Sequence, residues 1–500
     1  MFEHLLQGFG VVFQPLTFAL MIFGTGLGVI IGALPGMTGS MGIILLLPLV
    51  YRLPADTALV MLAGLFCGAM YGGSVSAILL RTPGTPSASA TLLDGYPLCQ
   101  QGKAGKAIGI ATVASFFGGL LSTACLILIA PQLAKIALQF QAADFFSLSI
   151  FGLTIMASAS AKNIIKGLLS GWIGLLASTV GIDVLVGSNR FTFGNIYLMG
   201  GFQLLPVLIG VFAVAQVFGE VQTKKTGNTV VEQKIRIRDV IPSLGDIRVI
   251  AMALIVGSVI GVFIGIIPGT GGAISCFLAY NVVQKWSKNK NQFGKGAIEG
   301  IAAPEASNNA TTGGAMIPML TLGVPGDAVT AVMLGALTLI GVKPGPLLFV
   351  EMPHVVYAIF SGMITIQFVM LGFGFLSAKF APYVLKVPYQ ILMPVIMVLC
   401  VVGSFTLGNS LFDVLVAVIF GVIGFFMRKY GYPGAPLVLG LILGPMAEDN
   451  LNRAMLVSGN NWLVLLQRPI SAFFLILSVV SIVFALVAAY KINKEEKKPA

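Results

Sequence analysis

The chain has 500 residues, 57% hydrophobic and only 9% charged, with a formal net charge of +11 and a mean hydropathy of +0.97. A soluble domain carries roughly a quarter charged residues, so most of the outer surface must face lipid. The apolar runs lack the period-two alternation of an outer-membrane barrel, and two histidines and five scattered cysteines exclude a histidine-rich metal centre and a disulfide scaffold.

In chain order, Met1–Gly10 reads as a short amphipathic lead-in without the basic start of a cleavable signal peptide. Val11–Leu34 is a first span ending at Pro35-Gly36, and Met41–Val50 a second apolar run. Thr57–Leu80 follows, closed by Arg81-Thr82-Pro83-Gly84-Thr85-Pro86, then short Ser87–Leu93 and a basic loop with Lys103 and Lys106. Ile108–Ala130, Leu133–Ala159, Ile164–Val186 and Ile196–Phe218 read as spans. Glu220–Arg248 is the longest charged stretch and reads as a linker, holding Lys224, Lys225, Lys234, Arg236, Arg238 and Arg248. The pattern then restarts with Val249–Ile267, Pro268-Gly269 and Ala273–Val283. The unusually polar Glu299–Val324 ends at Pro325-Gly326, and short Ala328–Ile340 follows. Val355–Leu376, Ile391–Leu407, Leu411–Met427 and Leu437–Met446 continue, Ser471–Tyr490 is an unmatched final span, and Lys491–Ala500 reads as a charged, disordered tail.

One stretch occurs twice. Gly28-x3-Gly32-x2-Pro35-Gly36 returns as Gly261-x3-Gly265-x2-Pro268-Gly269, each position 233 residues on (261 − 28; 268 − 35). Pro83-Gly84 returns as Pro325-Gly326, 242 residues on (325 − 83). The expected fold is an all-α polytopic membrane protein of about 10–12 spans in two repeats with re-entrant or broken helices. Residues 1–219 form the first repeat, 220–247 a cytoplasmic linker, 248–468 the second repeat, and 469–500 an extra span and cytoplasmic tail.

With the linker and tail in the cytoplasm, the basic loops Lys103/Lys106, Lys162/Lys166, Lys285–Lys295, Lys379–Lys386 and Arg428-Lys429 also fall there, by the positive-inside rule. This needs one half-crossing element after each Pro-Gly of the second pair, puts the N-terminus outside and inverts the halves relative to each other. Trp172, Trp286 and Trp462 read as interface anchors.

At a Pro-Gly break a helix end presents unpaired backbone groups, tolerable at membrane depth only inside protein or beside a water-filled cavity. N-termini there suit an anion, and C-termini and unwound carbonyls suit Na⁺. The candidate binding residues are therefore Pro35, Gly36, Thr38 and Ser40; Thr82, Pro83, Gly84 and Thr85; Pro268, Gly269 and Thr270; and Pro325 and Gly326. To these Glu299–Gly314 adds Glu305, Asn308 and Asn309, because ionisable and amide groups at membrane depth are functional by default. Glu305 could ligate a cation, pair with one, or cap a broken helix; Glu299 reads as an interface residue. Na⁺ is expected near Gly36, Gly269, Asn308 and Asn309. Arg81 could clamp a carboxylate or snorkel to the interface. Glu448-Asp449-Asn450 with Arg453 reads as a rim ion-pair cluster.

Together with Pro83-Gly84-Thr85-Pro86, Asp94-Gly95-Tyr96-Pro97 and Ala303-Pro304-Glu305-Ala306-Ser307-Asn308-Asn309-Ala310, the first Pro-Gly motif resembles the large membrane subunit of the tripartite tricarboxylate transporters (TctA type). Ser307 stands where alanine is expected, and Arg81 where asparagine is common. The resemblance implies the bacterial inner membrane, a small membrane subunit, and a periplasmic binding protein that captures a carboxylate such as citrate. It implies an ion gradient, usually Na⁺, as the energy source, with no nucleotide hydrolysis; no cofactor beyond the coupling ion and no enzymatic activity are expected. The absence of a G-x4-G-K-[ST] phosphate loop agrees. An organic-anion channel and an intramembrane enzyme are the alternatives; the enzyme lacks a nucleophile–base pair or metal set.

Overall fold

The computed structural model describes residues 2–159, 164–183, 187–222, 237–385 and 389–496. The expectations for Lys162, Lys224, Lys225, Lys234, Arg236, Lys386 and residues 497–500 lie outside the described residues. The fold is all-α, as composition required; among the described residues the sheet is confined to one two-residue ribbon.

The first half begins with α1 (Phe2–Val12) and α2 (Pro15–Ala33). The single apolar run from Val11 is thus two helices, because Pro15 opens a new one where its missing N–H costs nothing. Leu34, before Pro35, is extended (φ −75°, ψ 114°), since proline's ring disfavours the helical region for its predecessor. Thr38 then N-caps α3 (Gly39–Val50), its Oγ1 accepting the Met41 N–H at 3.3 Å. Next come α4 (Ala55–Leu80), a 3₁₀ turn at Pro86–Ser89, α5 (Leu92–Gln100), α6 (Ala104–Ala137), α7 (Ala142–Ala159) and α8 (Ile164–Ser178). The ribbon pairs β1 (Gly181–Ile182) with β2 (Asn189–Arg190). The span expected from Ile196 starts later, as α9 (Leu204–Leu208), a π-helical turn (Ile209–Val214) and α10 (Ala215–Gln222).

The second half contains α11 (Ile237–Val240), α12 (Leu244–Ile266), α13 (Gly271–Trp286), α14 (Glu299–Leu322) and α15 (Ala328–Leu339). It continues with α16 (Leu348–Glu351), α17 (Pro353–Val384), α18 (Tyr389–Gly408), α19 (Leu411–Lys429), α20 (Gly434–Val457), α21 (Val464–Gln467) and α22 (Pro469–Glu496). The tail expected from Lys491 instead continues α22 as helix to Glu496. Among the described residues seven helices are long and apolar enough to cross a membrane: α2, α4, α6, Leu204–Val221, α12, Pro353–Ala381 and α19. α15, with 12 residues, rises about 18 Å, short of the ~30 Å hydrocarbon core, the length a half-crossing element should have.

The chain forms two compact units that do not follow its halves. One comprises residues 1–134 and 220–399, the other 135–219 and 400–500. The first is built on two helix pairs, α2 with α4 and α12 with α14. In each pair glycines let the backbones touch, the small-residue packing that membrane helices use. Gly24, Gly28 and Gly32 lie against the carbonyls of Met61, Leu65 and Ala69, and Gly257 and Gly261 against those of Ala303 and Ser307. Between these pairs α4 and α14 are buried along nearly their whole lengths.

In the second unit Gly174 packs on the Leu437 carbonyl and Gly440 on that of Gly171, joining α8 to α20. Asp144, buried at the start of α7, pairs with Arg468 at 2.7 Å. Glu448 forms its ion pair with Arg190, which also reaches Asp183 at 3.4 Å. The rim cluster expected around Arg453 is thus closed by an arginine far away in sequence. Trp172, Trp286 and Trp462 are all exposed, each within its own unit.

Candidate functional site

The four Pro-Gly breaks all lie in the first unit, and the first members of the two pairs share one backbone geometry. Ile267 is extended like Leu34 (φ −77°, ψ 116°), and Gly36 and Gly269 both take positive φ, 88° and 80°. The second breaks are entered alike. Arg81 ends α4 in the left-handed region (φ 57°, ψ 20°), and Gly323 ends α14 there (φ 71°, ψ 19°).

Within each half the two breaks meet. The Gly269 N–H donates to the Gly326 carbonyl at 2.7 Å. Gly84 sits so close to the Gly32 carbonyl that a Cβ would overlap it, and Gly326 is packed likewise against Gly265 and Ala315. The breaks also cross between halves. Gly39, opening α3, faces Val329 of α15, and Gly272, opening α13, faces Ser87 just past the other second break.

The polar residues of α14 complete this junction. Thr85, Ser87, Asn308 and Thr311 are buried, and Asn308 and Thr311 have no exposure at all. The Asn308 Nδ2 donates to the Met70 carbonyl at 3.0 Å; because that carbonyl can only accept, the amide's orientation is fixed. Its Oδ1 is left without a partner and, with the Thr311 Oγ1 and Ser87, crowds the first turn of α13 at Gly272. The Ser307 Oγ and Asn309 Oδ1 are likewise buried without partners. An unmet buried acceptor costs about 1–3 kcal/mol, so three on one helix call for a donor or cation from elsewhere. The site thus offers oxygen acceptors suited to a hard monovalent cation, beside helix N-termini whose free N–H groups suit an anion. Among the described residues no three His, Cys, Asp or Glu side chains gather as a tighter metal site would need.

The other expected residues divide clearly. Pro35, Ser40, Pro268 and Pro325 are buried at the breaks. Thr38 caps α3, and the Thr270 Oγ1 closes the end of α12, its one hydrogen shared between the Ile264 and Ile267 carbonyls at 2.6 and 2.9 Å. Thr82 is half-buried and donates to the Leu80 carbonyl. Arg81 is exposed, its guanidinium 5.7 Å from the Tyr96 ring centre, and is not part of the buried junction. Glu299 accepts from the Ser287 Oγ and Asn289 Nδ2, tying down the loop after α13. Glu305 is fully buried one turn before Asn308, accepting from Thr91 and from Ser115 at 3.2 Å.

Sequence reasoning gave two groups no site role, although Asp94 stands in a motif of the family resemblance. Asp94 has no exposure and accepts from the Tyr280 hydroxyl and the Gly296 and Ala297 N–H groups, all at 2.8 Å, joining α5 to the approach of α14. Gln367 lies buried on α17, its Nε2 near the Cys67 Sγ and its Oε1 unpaired. A lone glutamine in the apolar run Val355–Leu376 was the available signal.

The chain matches the tripartite tricarboxylate transporter TctA family over residues 18–439, a stretch that takes in all four breaks and the polar face of α14. The chain belongs to this family. It is 34% identical over 494 residues to an uncharacterized 52.8 kDa protein of the TAR-I ttuC' 3' region of Agrobacterium vitis, covering 99% of this chain and 98% of that protein. A second A. vitis protein, from the TAR-II ttuC' 3' region, is 34% identical over 236 residues, 47% of this chain and 98% of its own. No solved structure matches the chain. As a TctA family member it is a multi-pass membrane subunit of a tripartite tricarboxylate transporter.

Proposed function

We propose that the chain is the large membrane subunit of a binding-protein-dependent secondary transporter, taking up a di- or tricarboxylate such as citrate with Na⁺. The observation that carries this is the junction at Asn308, where helix breaks from both halves of the chain surround a buried, unpaired amide oxygen. Cation and carboxylate have complementary needs there: Asn308, Asn309 and the break carbonyls at Gly36 and Gly269 supply acceptors, and the first turns of α3 and α13 supply N–H donors. A bound cation next to the carboxylate cancels charge that the low-dielectric interior would otherwise penalise, which makes binding of the two cooperative.

The protein works in the bacterial inner membrane, with its N-terminus periplasmic and C-terminus cytoplasmic, beside a small membrane subunit and a periplasmic solute-binding protein. Residues 1–219 and 248–468 act as inverted repeats. The equal backbone geometry at Leu34 and Ile267 and at Arg81 and Gly323 supports that symmetry. The test is uptake of labelled citrate into proteoliposomes, with and without a Na⁺ gradient and the binding protein. Strict dependence on both is expected. Flux without either would make the protein a channel and overturn the reading.

A further inference from the structure

Two cavities lie side by side in the first unit, where the starts of α6, α12 and α14 meet the end of α13, and they share Val249, Asn289 and Glu299. The smaller, of about 340 Å³, is walled by Met252 and Ala253 of α12 and by Val283 and Trp286 of α13, with the exposed Arg248 and Lys288 beside them. The larger, of about 500 Å³, adds Lys103, Lys106 and Lys295.

The acids nearby are already engaged. Glu299 accepts from the Ser287 Oγ at 2.7 Å and the Asn289 Nδ2 at 3.2 Å. Asp246 closes the capping box with Ser243 and pairs with Lys106 at 2.6 Å. No described acid lies within ion-pair distance of Arg248, Lys288, Lys103 or Lys295. Lys288 is also held in place, because Ser287 and Asn289 on either side of it are both tied to Glu299, and the Asn289 N–H donates to the Ser287 Oγ at 2.9 Å.

Beyond these charges the surface is apolar and open. At 3.6 residues per turn, Arg248, Val249, Met252, Ile255, Val259 and Phe263 fall on one side of α12, and all six are exposed. α13, packed beside α12, adds the exposed Ile274, Phe277 and Leu278. From Arg248 to Phe263 the stripe runs about 22 Å, longer than the ~15 Å of hydrocarbon in one leaflet. Cations at a helix end above an exposed apolar stripe match the profile of a phospholipid, with its anion at the interface and its hydrocarbon along the helix.

We propose that the smaller cavity binds the headgroup of an anionic phospholipid, its phosphate between Arg248 and Lys288 and its acyl chains over the exposed face of α12 and α13. The planar guanidinium suits two phosphate oxygens, and Trp286 lies at headgroup depth. Lys103 and Lys295 in the adjoining cavity extend the positive field, which favours a headgroup of net negative charge over a zwitterion. A lipid held there braces the loop after α13 against the start of α12, the helix that ends at the Ile267-Pro268 break. The site is independent of the transport reading above.

Melting temperatures of the delipidated protein in neutral detergent test it. Phosphatidylglycerol should raise the wild-type value, and phosphatidylcholine should not. Glycerol 3-phosphate and citrate at the same concentrations should leave it unchanged, since neither has chains to lie on α12. Arg248→Gln with Lys288→Gln should abolish the phosphatidylglycerol shift, while Lys290→Gln, in the same loop but lining neither cavity, should keep it. Should the double variant fail to fold, Lys288→Gln alone, at an exposed loop position, serves: the lipid concentration giving half the shift should rise about fivefold, ~1 kcal/mol. Equal shifts with the two lipids, or an undiminished shift in the variants, would overturn the proposal. So would an equal shift with glycerol 3-phosphate or citrate, which makes the cavity a site for soluble anions, and so would no shift at all, which leaves the apolar face to a protein partner. Citrate uptake enters none of these readouts, so each result stands whether or not the transport reading does.

Discussion

At the scale of single residues, Asn308 should matter more than Arg81. Asn308→Ala removes a buried amide oxygen without a protein partner, and the apparent Na⁺ affinity of uptake should fall about tenfold or more, ~1.4 kcal/mol. Arg81 is exposed and stacked on Tyr96, so Arg81→Asn should change the KM for citrate less than about threefold, ~0.7 kcal/mol. The same substitution should not lower thermal stability. A left-handed conformation costs an ordinary residue roughly 1–2 kcal/mol, asparagine tolerates it better, and that gain offsets the lost cation–π contact of about 0.5–1 kcal/mol. Asp94→Ala should act oppositely, leaving three buried donors unmet and costing roughly 2–5 kcal/mol, read as a clearly lower melting temperature in detergent. The sequence marked Asn308 and Glu305 because polar groups in an apolar stretch stand out. It could not show Asp94 as a lock, since its partners Tyr280, Gly296 and Ala297 are about 200 residues away and polar contacts of that range follow from packing.

At the scale of elements, the breaks depend on proline and their packing on glycine. Pro35→Ala with Pro268→Ala frees Leu34 and Ile267 to continue as helix, and citrate uptake should be lost while the protein still reaches the membrane. Gly84→Ala and Gly326→Ala should each destabilise by about 1–3 kcal/mol through overpacking, measured by thermal unfolding, whereas Gly341→Ala, where a Cβ would meet nothing, should cost no more than its strained φ of 79° requires. The breaks were legible because they are written locally, in Pro-Gly and in hydropathy. Helix ends were less so. Val11–Leu34 and Ile196–Phe218 read as unbroken runs, yet Pro15 restarts the first and the second begins as loop, because hydropathy records what is apolar, not where the backbone hydrogen-bond ladder is interrupted. α14 shows the converse: too polar to stand out as an apolar span, it is buried along nearly its whole length.

At the scale of the whole molecule, the sequence shows two halves and the structure two units, and these are different divisions. A repeat is read from similarity along the chain, whereas a compact unit is decided by which helix faces complement each other, information that one-dimensional periodicity lacks. Each unit takes elements from both halves, so separately expressed halves should fail to fold alone, and coexpressing 1–222 with 237–500 should recover a complex, checked by size-exclusion chromatography. The thiols give a means of following such a protein at work. None of the five cysteines is in a disulfide, and Cys67, Cys99, Cys276 and Cys400 are buried while Cys125 is partly open. Cys276 lies against the Pro304 carbonyl, beside Glu305, so its rate of alkylation by a small membrane-permeant reagent clocks how often the junction admits solvent, in the native chain and without an engineered label.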